Sequence, residues 1–399
     1  MRFSSRVDVS EPNPIILAQR EAVSRGIKLT KLNDSNPTSH GLAPKCLSSK
    51  YVADPRGPKE VRKLLADYIN NRDNRGSSSN NSAALLNPDN LYVLSSTSQA
   101  YAWLMMLLCD AEDAVLAPTP GYPLIESIAR LQCVKTINYP LRYDGSWTID
   151  LVKVRELLED SSNRIRALVL INPNNPTGSY IKPQERAELL KLCAKNQVAI
   201  ISDEVFYAYS LEPFTGNKRL AGEESTLVFA LDGFSKMLAA PHAKVGWIEI
   251  SGPNLLVDEA KKRLDVIADD FLPIGSTVAD RIPELLGYAN EQTNIVLNRT
   301  RNNLRILREI LASWPCCCVS ALRAEGGWNI LLRVPSCLDD DDLSIRLMKD
   351  YALVSQPGYY FDMPVSGYLA LSLLPETEKF EAGVRSLLTT VDRMISELS

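Results

Sequence analysis

Lys236 stands in GFSKMLAAPHAKVGW (Gly233 to Trp247), among small and apolar residues. A lysine in such company either lays its stem along apolar surface with its ammonium in water, or is drawn inward by chemistry. Three upstream segments carry groups that such chemistry would need. SSTSQA (95–100) is hydroxyl-rich. At the start of a helix, backbone N–H groups and the helix dipole attract phosphate, and Ser and Thr hydroxyls add donors. The same residues would also serve as an ordinary N-cap. NPNNPTG (172–178) has two Asn-Pro steps and a glycine, a tight turn able to aim Asn175 into a cleft. SDEVFYAY (202–209) places an acidic pair after an apolar run. Burying that pair is costly unless one carboxylate meets a cation or caps a helix.

These residues need elements to hold them. LYVLSS (91–96), AVLAP (114–118), IRALVLINP (165–173), VAIISDE (198–204), TLVFALDG (226–233) and VGWIEIS (245–251) read as strands. QAYAWLMMLLCD (99–110), ESIARL and PQERAELLKLCAKN (183–196) read as helices between them. Strands joined by helices give a mainly parallel sheet covered on both faces, with ligands at the carboxyl ends of the strands. Ser96, Pro120, Asn172, Asp203 and Ser235 all fall at or just past such ends. Toward the C-terminus, 279–314 reads as helical, EGGWNILLRVP (325–335) and SGYLALSLLP (366–375) as strands, and 376–398 as a final helix. The Ser/Asn-rich segment 71–90 reads as an exposed loop between a helix and the first strand. A phosphate cradle, a carboxylate, a polar amide and an amine converging in this way are the parts of a pyridoxal phosphate site. The amine forms a Schiff base with the aldehyde. The carboxylate keeps the pyridine nitrogen protonated, so that the ring acts as an electron sink.

NPNNPTG, SDEVFYAY and FSKMLAAPHAKVGW, in that order, resemble the class I/II aminotransferases of the fold type I pyridoxal-phosphate family. YVADPRGPKEVR (51–62), APTPGYP (117–123), EGGW (325–328) and QPG (356–358) extend the resemblance over nearly the whole chain. It implies an α/β fold with a large cofactor-binding domain (46–269), built on a mainly parallel seven-stranded sheet covered by helices. A smaller α+β domain would come from both chain ends, 1–45 with an N-terminal arm and 270–399. The implied activity is exchange of an amino group between an amino acid or amine and a 2-oxo acid. A carbon–sulfur lyase, a racemase or a decarboxylase on the same scaffold stays open, because all begin with the same condensation. By the resemblance, Lys236 is the Schiff-base lysine and proton shuttle, Asp203 the partner of the pyridinium, and Asn175 a donor to the cofactor O3′. Tyr122 stacks on the pyridine face. Ser96, Thr97 and Ser98 form the phosphate turn, and Ser235 and Lys244 add phosphate contacts. Many members have arginine at the position of Lys244; lysine keeps the charge without the bidentate fork. Tyr51 resembles the tyrosine that reaches the phosphate in a neighbouring subunit, which implies a homodimer with shared sites.

The chain departs from the family pattern twice. Phe206 stands where a tyrosine commonly donates to O3′, and Tyr207 beside it would face the other way on a strand. Ala370 stands where an arginine commonly forks onto the substrate carboxylate. Arg56, Arg142 and Arg323 are candidates for a replacement clamp.

Composition narrows the remaining classes. The 399 residues, 45% hydrophobic and 23% charged, suffice for two soluble domains. A net charge of −4 gives no footprint for nucleic acid or an anionic membrane. MRFSSRVDVSEPNP has no apolar core of signal-peptide length, and no apolar run reaches a membrane-spanning length. The eight cysteines show no disulfide or zinc spacing, and Cys316, Cys317 and Cys318 are consecutive. This pattern implies reduced thiols in a cytoplasm and no metal site. Cys109, Cys133 and Cys193 read as core residues. Only His40 and His242 are present, too few to favour a histidine-based triad.

Overall fold

Apolar runs bounded by turn formers become strands in two separate sheets. The computed structural model describes residues 1–7, 9, 14–29, 38, 51–76, 84–212, 216–272, 274–315 and 318–398. His40, Cys316, Cys317, the boundary at residue 45 and part of the Ser/Asn-rich segment lie outside the described residues. The first sheet contains β1 (Leu91–Leu94), β2 (Ala114–Thr119), β3 (Lys135–Tyr143), β4 (Trp147–Ile149), β5 (Ile165–Ile171), β6 (Ala199–Asp203), β7 (Val228–Gly233) and β8 (Gly246–Ser251). Their order is β1-β8-β7-β6-β5-β2-β3-β4. The sheet therefore has eight strands where seven were expected, because Trp147–Ile149 folds back antiparallel on β3. Neighbours from β3 through β2, β5 and β6 to β7 run parallel, and β8 runs antiparallel to β7 and β1.

The preceding helices are α1 (Pro14–Ser24), α2 (Lys59–Arg72), α3 (Thr97–Leu108), α4 (Leu124–Leu131), α5 (Leu151–Glu159), α6 (Pro183–Asn196), α7 (Phe234–Met237) and α8 (Asn254–Phe271). On one face of the sheet, Trp103, Leu104 and Leu107 of α3 and Leu264 of α8 pack with Val169, Ile201 and Phe229. On the other face, Leu158 of α5 and Leu189, Leu192 and Cys193 of α6 pack with Leu168 and Ile200. Covered on both sides, β5, β6 and β7 carry apolar runs without alternation, Ala167–Ile171, Ala199–Ile201 and Val228–Leu231, as buried parallel strands require. The second sheet has β9 (Ser320–Ala321), β10 (Asn329–Arg333), β11 (Gln356–Pro357) and β12 (Tyr368–Ser372) in the order β11-β12-β10-β9. Its core unites Ile330, Leu332 and Leu369 with Leu304, Leu347, Leu387 and Val391 of the helices Ala289–Ser313, Asp340–Tyr351 and Thr377–Leu398. Cys109 and Cys193 are buried as expected. Cys133 is exposed, in a positive-φ turn after α4 rather than in the core. Among the described residues, no helix is long and apolar enough to cross a membrane, and no cluster fit for a metal ion occurs.

Candidate active site

Register brings the site together. Ile171 of β5 pairs with Asp203 of β6, which pairs with Leu231 of β7. Three parallel neighbours thus end at one level, and the segments after them leave on the same side. NPNNPTG follows β5, the acidic pair closes β6, and α7 with Lys236 follows β7. The start of α3 joins them because β8 returns antiparallel beneath it. A Cβ on Gly246 would lie 3.2 Å from the backbone of Ser96 and Thr97, so glycine permits this approach. A cavity of about 90 Å³, partly open to solvent, lies there. It is lined by Asp203, Lys236, Asn175, Ser235 and Tyr122, with Thr97 and Ser98 from the first turn of α3.

The acidic pair divides its work. Glu204 is wholly engaged: it pairs with Arg219 at 3.1 Å and accepts from Ser202 Oγ at 3.0 Å and Leu220 N at 2.7 Å. Asp203 faces the cavity and accepts only from neutral donors, Tyr101 Oη at 3.0 Å and Val205 N at 3.2 Å. Burial pushes its carboxyl up to about 6, with Asp232 and Glu204 adding to the shift against those two hydrogen bonds. Desolvation lowers the Lys236 amine below the ordinary lysine range, against the attraction of Asp203. Nζ lies 5.2 Å from the ring centroids of both Phe206 and Trp328. Both groups are therefore held closer to neutral than in water, and among the described residues neither has an ionic partner in contact.

The Asn175 turn is set by a close approach. Gly178 has φ +68°, and a Cβ there would lie 2.6 Å from Gly326 O. Its carbonyl accepts from Glu325 N and Gly326 N at 2.9 and 2.8 Å, tying the turn to the segment before β10. Asn329 Nδ2 then donates to Asn175 Oδ1 at 2.7 Å.

Three expected residues are not brought to the cavity wall. Ser96 acts as the N-cap of α3, accepting from Gln99 N at 3.2 Å. Lys244 is exposed, in a left-handed conformation after the short turn Pro241–Ala243. Tyr51 is exposed on the surface. None of the arginines considered for a carboxylate clamp is at the cavity wall, and each is engaged elsewhere. Arg56 forks onto Asp265 at 2.6 and 2.7 Å, Arg142 pairs with Asp150, and Arg323 with Glu212. Ala370 is buried with Trp147, Leu331, Phe361 and Met363. Phe206 lines the cavity, while Tyr207 stacks beneath Arg219, whose guanidinium carbon is 4.0 Å from its ring centroid. The two diverge as expected but not by strand alternation: β6 stops at Asp203, and residues 205–208 form a turn. Tyr101 and Asn329 were not anticipated. A hydroxyl aromatic inside the otherwise apolar α3 was the only signal for Tyr101, and Asn329 had none.

A protonated ring nitrogen is the cation that Asp203 lacks, and Lys236 offers an amine free to condense with an aldehyde. The first turn of α3 offers N–H groups without intrahelical acceptors. This donor set fits pyridoxal phosphate. Residues 45–373 match the aminotransferase class I and II family, and the chain belongs to it. Glutamate-pyruvate aminotransferase AlaA of Haemophilus influenzae is 26% identical over 274 residues, 66% of this chain and 64% of that protein. Probable aminotransferase TAT1 of Arabidopsis thaliana is 26% identical over 75% of this chain and 65% of its own length. The chain thus spans slightly less than two thirds of these two relatives; for AlaA of Escherichia coli K12, 23% identical, the shares are 92% and 91%. Among solved structures, alanine aminotransferase from Pyrococcus furiosus superposes with a TM-score of 0.73 at 21% identity, covering 95% of this chain and 96% of its own. An aminotransferase from Escherichia coli gives 0.74 at 20% identity, covering 98% of each chain. The fold is that of the type I pyridoxal-phosphate enzymes.

Proposed function

We propose that this chain is a pyridoxal-phosphate-dependent aminotransferase, exchanging an amino group between an amino acid or amine and a 2-oxo acid. The observation that carries the reading is Asp203, a buried carboxylate without an ionic partner in contact, on the same cavity as the partly desolvated Lys236. When bound, the cofactor supplies an electron sink for the bond broken at the substrate Cα. Lys236 Nζ would hold the cofactor covalently and would carry the proton at the substrate Cα. Asp203 would hold the proton on the ring nitrogen. Asn175 would donate to O3′, and Tyr122 would cover one ring face. The N–H groups of Thr97 and Ser98, with Ser235, receive the phosphate; Ser96 supports them as the cap. Lys244 adds long-range positive charge.

A large domain around 46–269 and a small one from the C-terminal part are supported by the two sheets, which span 91–251 and 320–372. Residues 1–7, expected in the small domain, pack instead on the large one: Val7 joins the core of α3 and α8, and Arg2 pairs with Asp110. Ile282 and Ala289 likewise pack with Val61 and Leu91. Exposed Tyr51 fits a homodimer in which each subunit completes its neighbour's phosphate site. A cytoplasmic setting fits the free thiols of Cys109, Cys133, Cys193 and Cys337. The test is the visible absorbance of protein loaded with pyridoxal phosphate, before and after a panel of amino acids and amines, with released keto products identified by mass. A band that converts to pyridoxamine phosphate is expected. A band that persists while substrate is cleaved, racemised or decarboxylated would replace transamination with that reaction.

A further inference from the structure

The contact between Asn329 and Asn175 crosses from the second sheet to the cavity of the first, and its chemistry is directional. A carboxamide accepts only at oxygen and donates only at nitrogen. Asn175 Oδ1 is already taken by Asn329 Nδ2 at 2.7 Å, while Asn175 lines the cavity. Its NH₂ end is therefore the one left for a ligand. The backbone of Asn329 is placed firmly: it opens β10, opposite Ser372 of β12. Two residues before Trp328, which packs edge-to-face on Phe206 with centroids 5.3 Å apart, Gly326 N holds the carbonyl of Gly178 at the end of the Asn175 turn. Phe206, on the same cavity, has no hydroxyl to offer the cofactor.

We propose that Asn329 is a positioning residue, fixing the amide of Asn175 so that its Nδ2, and not its Oδ1, meets the O3′ oxygen of the bound cofactor. This rests on the cofactor reading above and adds to it a part for the second sheet. Because Phe206 donates nothing, the orientation of one amide decides whether O3′ meets a donor or a repelling oxygen. A donor at O3′ stabilises the phenolate and so favours loss of the proton from the Lys236 linkage. Without it, that proton is retained to higher pH.

The test is a pH titration of the visible absorbance of protein loaded with pyridoxal phosphate, for wild type, Asn329→Asp, Asn329→Leu, Asn175→Ala and both double variants. Asp is near-isosteric but only accepts when ionised, so it turns Asn175 the wrong way; Leu removes the donor without adding charge. Each single variant should raise the midpoint by about one pH unit, the size expected for one hydrogen bond to a charged oxygen. In the Asn175→Ala background Asn329→Leu should add nothing to the shift, because Asn329 acts only through Asn175, while Asn329→Asp should retain only the direct effect of its added charge. The role is overturned if both Asn329 variants titrate as wild type while Asn175→Ala shifts, or if the Asn329→Leu shift persists in the Asn175→Ala background. Unchanged unfolding midpoints separate this role from a merely structural one. A wild-type chain with no visible band refutes the cofactor reading itself, and this role with it.

Discussion

Replacing Asp203 with asparagine should stabilise the protein without cofactor while weakening its hold on the cofactor. The folded carboxyl titrates at about 6 against an ordinary value of 3.8, the shift being caused first by burial. A carboxyl raised on folding binds its proton more tightly in the native state, so stability falls as pH rises between those two values. The shift corresponds to about 3 kcal/mol, lost by about pH 6 and absent below about pH 4. Asparagine is nearly isosteric, and its oxygen still accepts a hydrogen bond, but it carries no charge to desolvate. In urea unfolding of cofactor-free protein, Asp203→Asn should therefore gain up to about 3 kcal/mol at neutral pH and close to nothing at about pH 4. With pyridoxal phosphate added, the order should reverse or narrow, because the ring nitrogen gives the wild-type carboxylate the cation it lacks and the ligand stabilises by mass action. Equal stability of the two cofactor-free proteins at neutral pH would refute the reasoning. So would a gain of the same size at both pH values, which would point to packing rather than charge.

Three other outcomes follow from single contacts. Lys236→Ala should show no visible band with pyridoxal phosphate, no amino-group exchange and, after borohydride reduction, no cofactor mass on its peptide, while wild type shows all three. Gly178→Ala places a Cβ 2.6 Å from Gly326 O at φ +68°. It should lose about 2 kcal/mol or more in thermal or urea unfolding, from left-handed strain plus the clash, and should bind cofactor more weakly as the Asn175 turn shifts. Glu249→Ala leaves Arg75 with only the longer pair to Asp73 at 3.4 Å, in place of a fork onto Glu249 at 2.7 and 2.9 Å with both side chains almost fully buried. A loss of about 3 kcal/mol in urea unfolding is expected, at the low end of the cost of breaking a buried pair because Asp73 still faces Arg75, and a double replacement with Arg75→Met should recover part of it.

The parts of the fold legible in the sequence were those with uniform surroundings. Strands β5 and β6 are buried on both faces, so their apolar runs admit few other readings, and α6 falls on the expected residues 183–196. Strand β3 (KTINYPLRY) was missed because it lies near the sheet edge with mixed exposure and carries proline and charge. Its partner β4 has three residues and exists only as a hairpin on it, so no local pattern could announce it. In the site, the residues whose chemistry is rare in their setting were legible: an apolar-flanked lysine, an acidic pair after a strand, two Asn-Pro steps. Tyr101 and Asn329 act through contacts made at sequence separations of 102 and 154; beyond the hydroxyl of Tyr101 in an apolar stretch of α3, nothing local distinguishes them from neighbours that only pack. Ser96 shows the opposite case, where the signal for a phosphate turn is also the signal for a cap, and the hydroxyl is used for the cap.

The position of the Lys236 amine is likewise not a local property of FSKM. Helix α7 has four residues, too few to be stable on its own backbone hydrogen bonds. What holds it comes from elsewhere. Tyr209 Oη donates to Lys236 O at 2.6 Å, and Thr293 Oγ1, from the helix Ala289–Ser313, donates to Met237 O at 2.9 Å. Trp328 packs edge-to-face against Tyr209 with centroids 5.0 Å apart and lies over the amine itself. The backbone of the lysine is thus pinned by a residue after β6 and by a long helix that also packs on the second sheet. Its amine is shielded by a residue at the entrance to β10. A shift of the second sheet relative to the first must therefore be felt at Lys236 and, through Asn329, at Asn175. The titration of Asn329 variants therefore reads a contact that crosses from the second sheet to the cavity of the first.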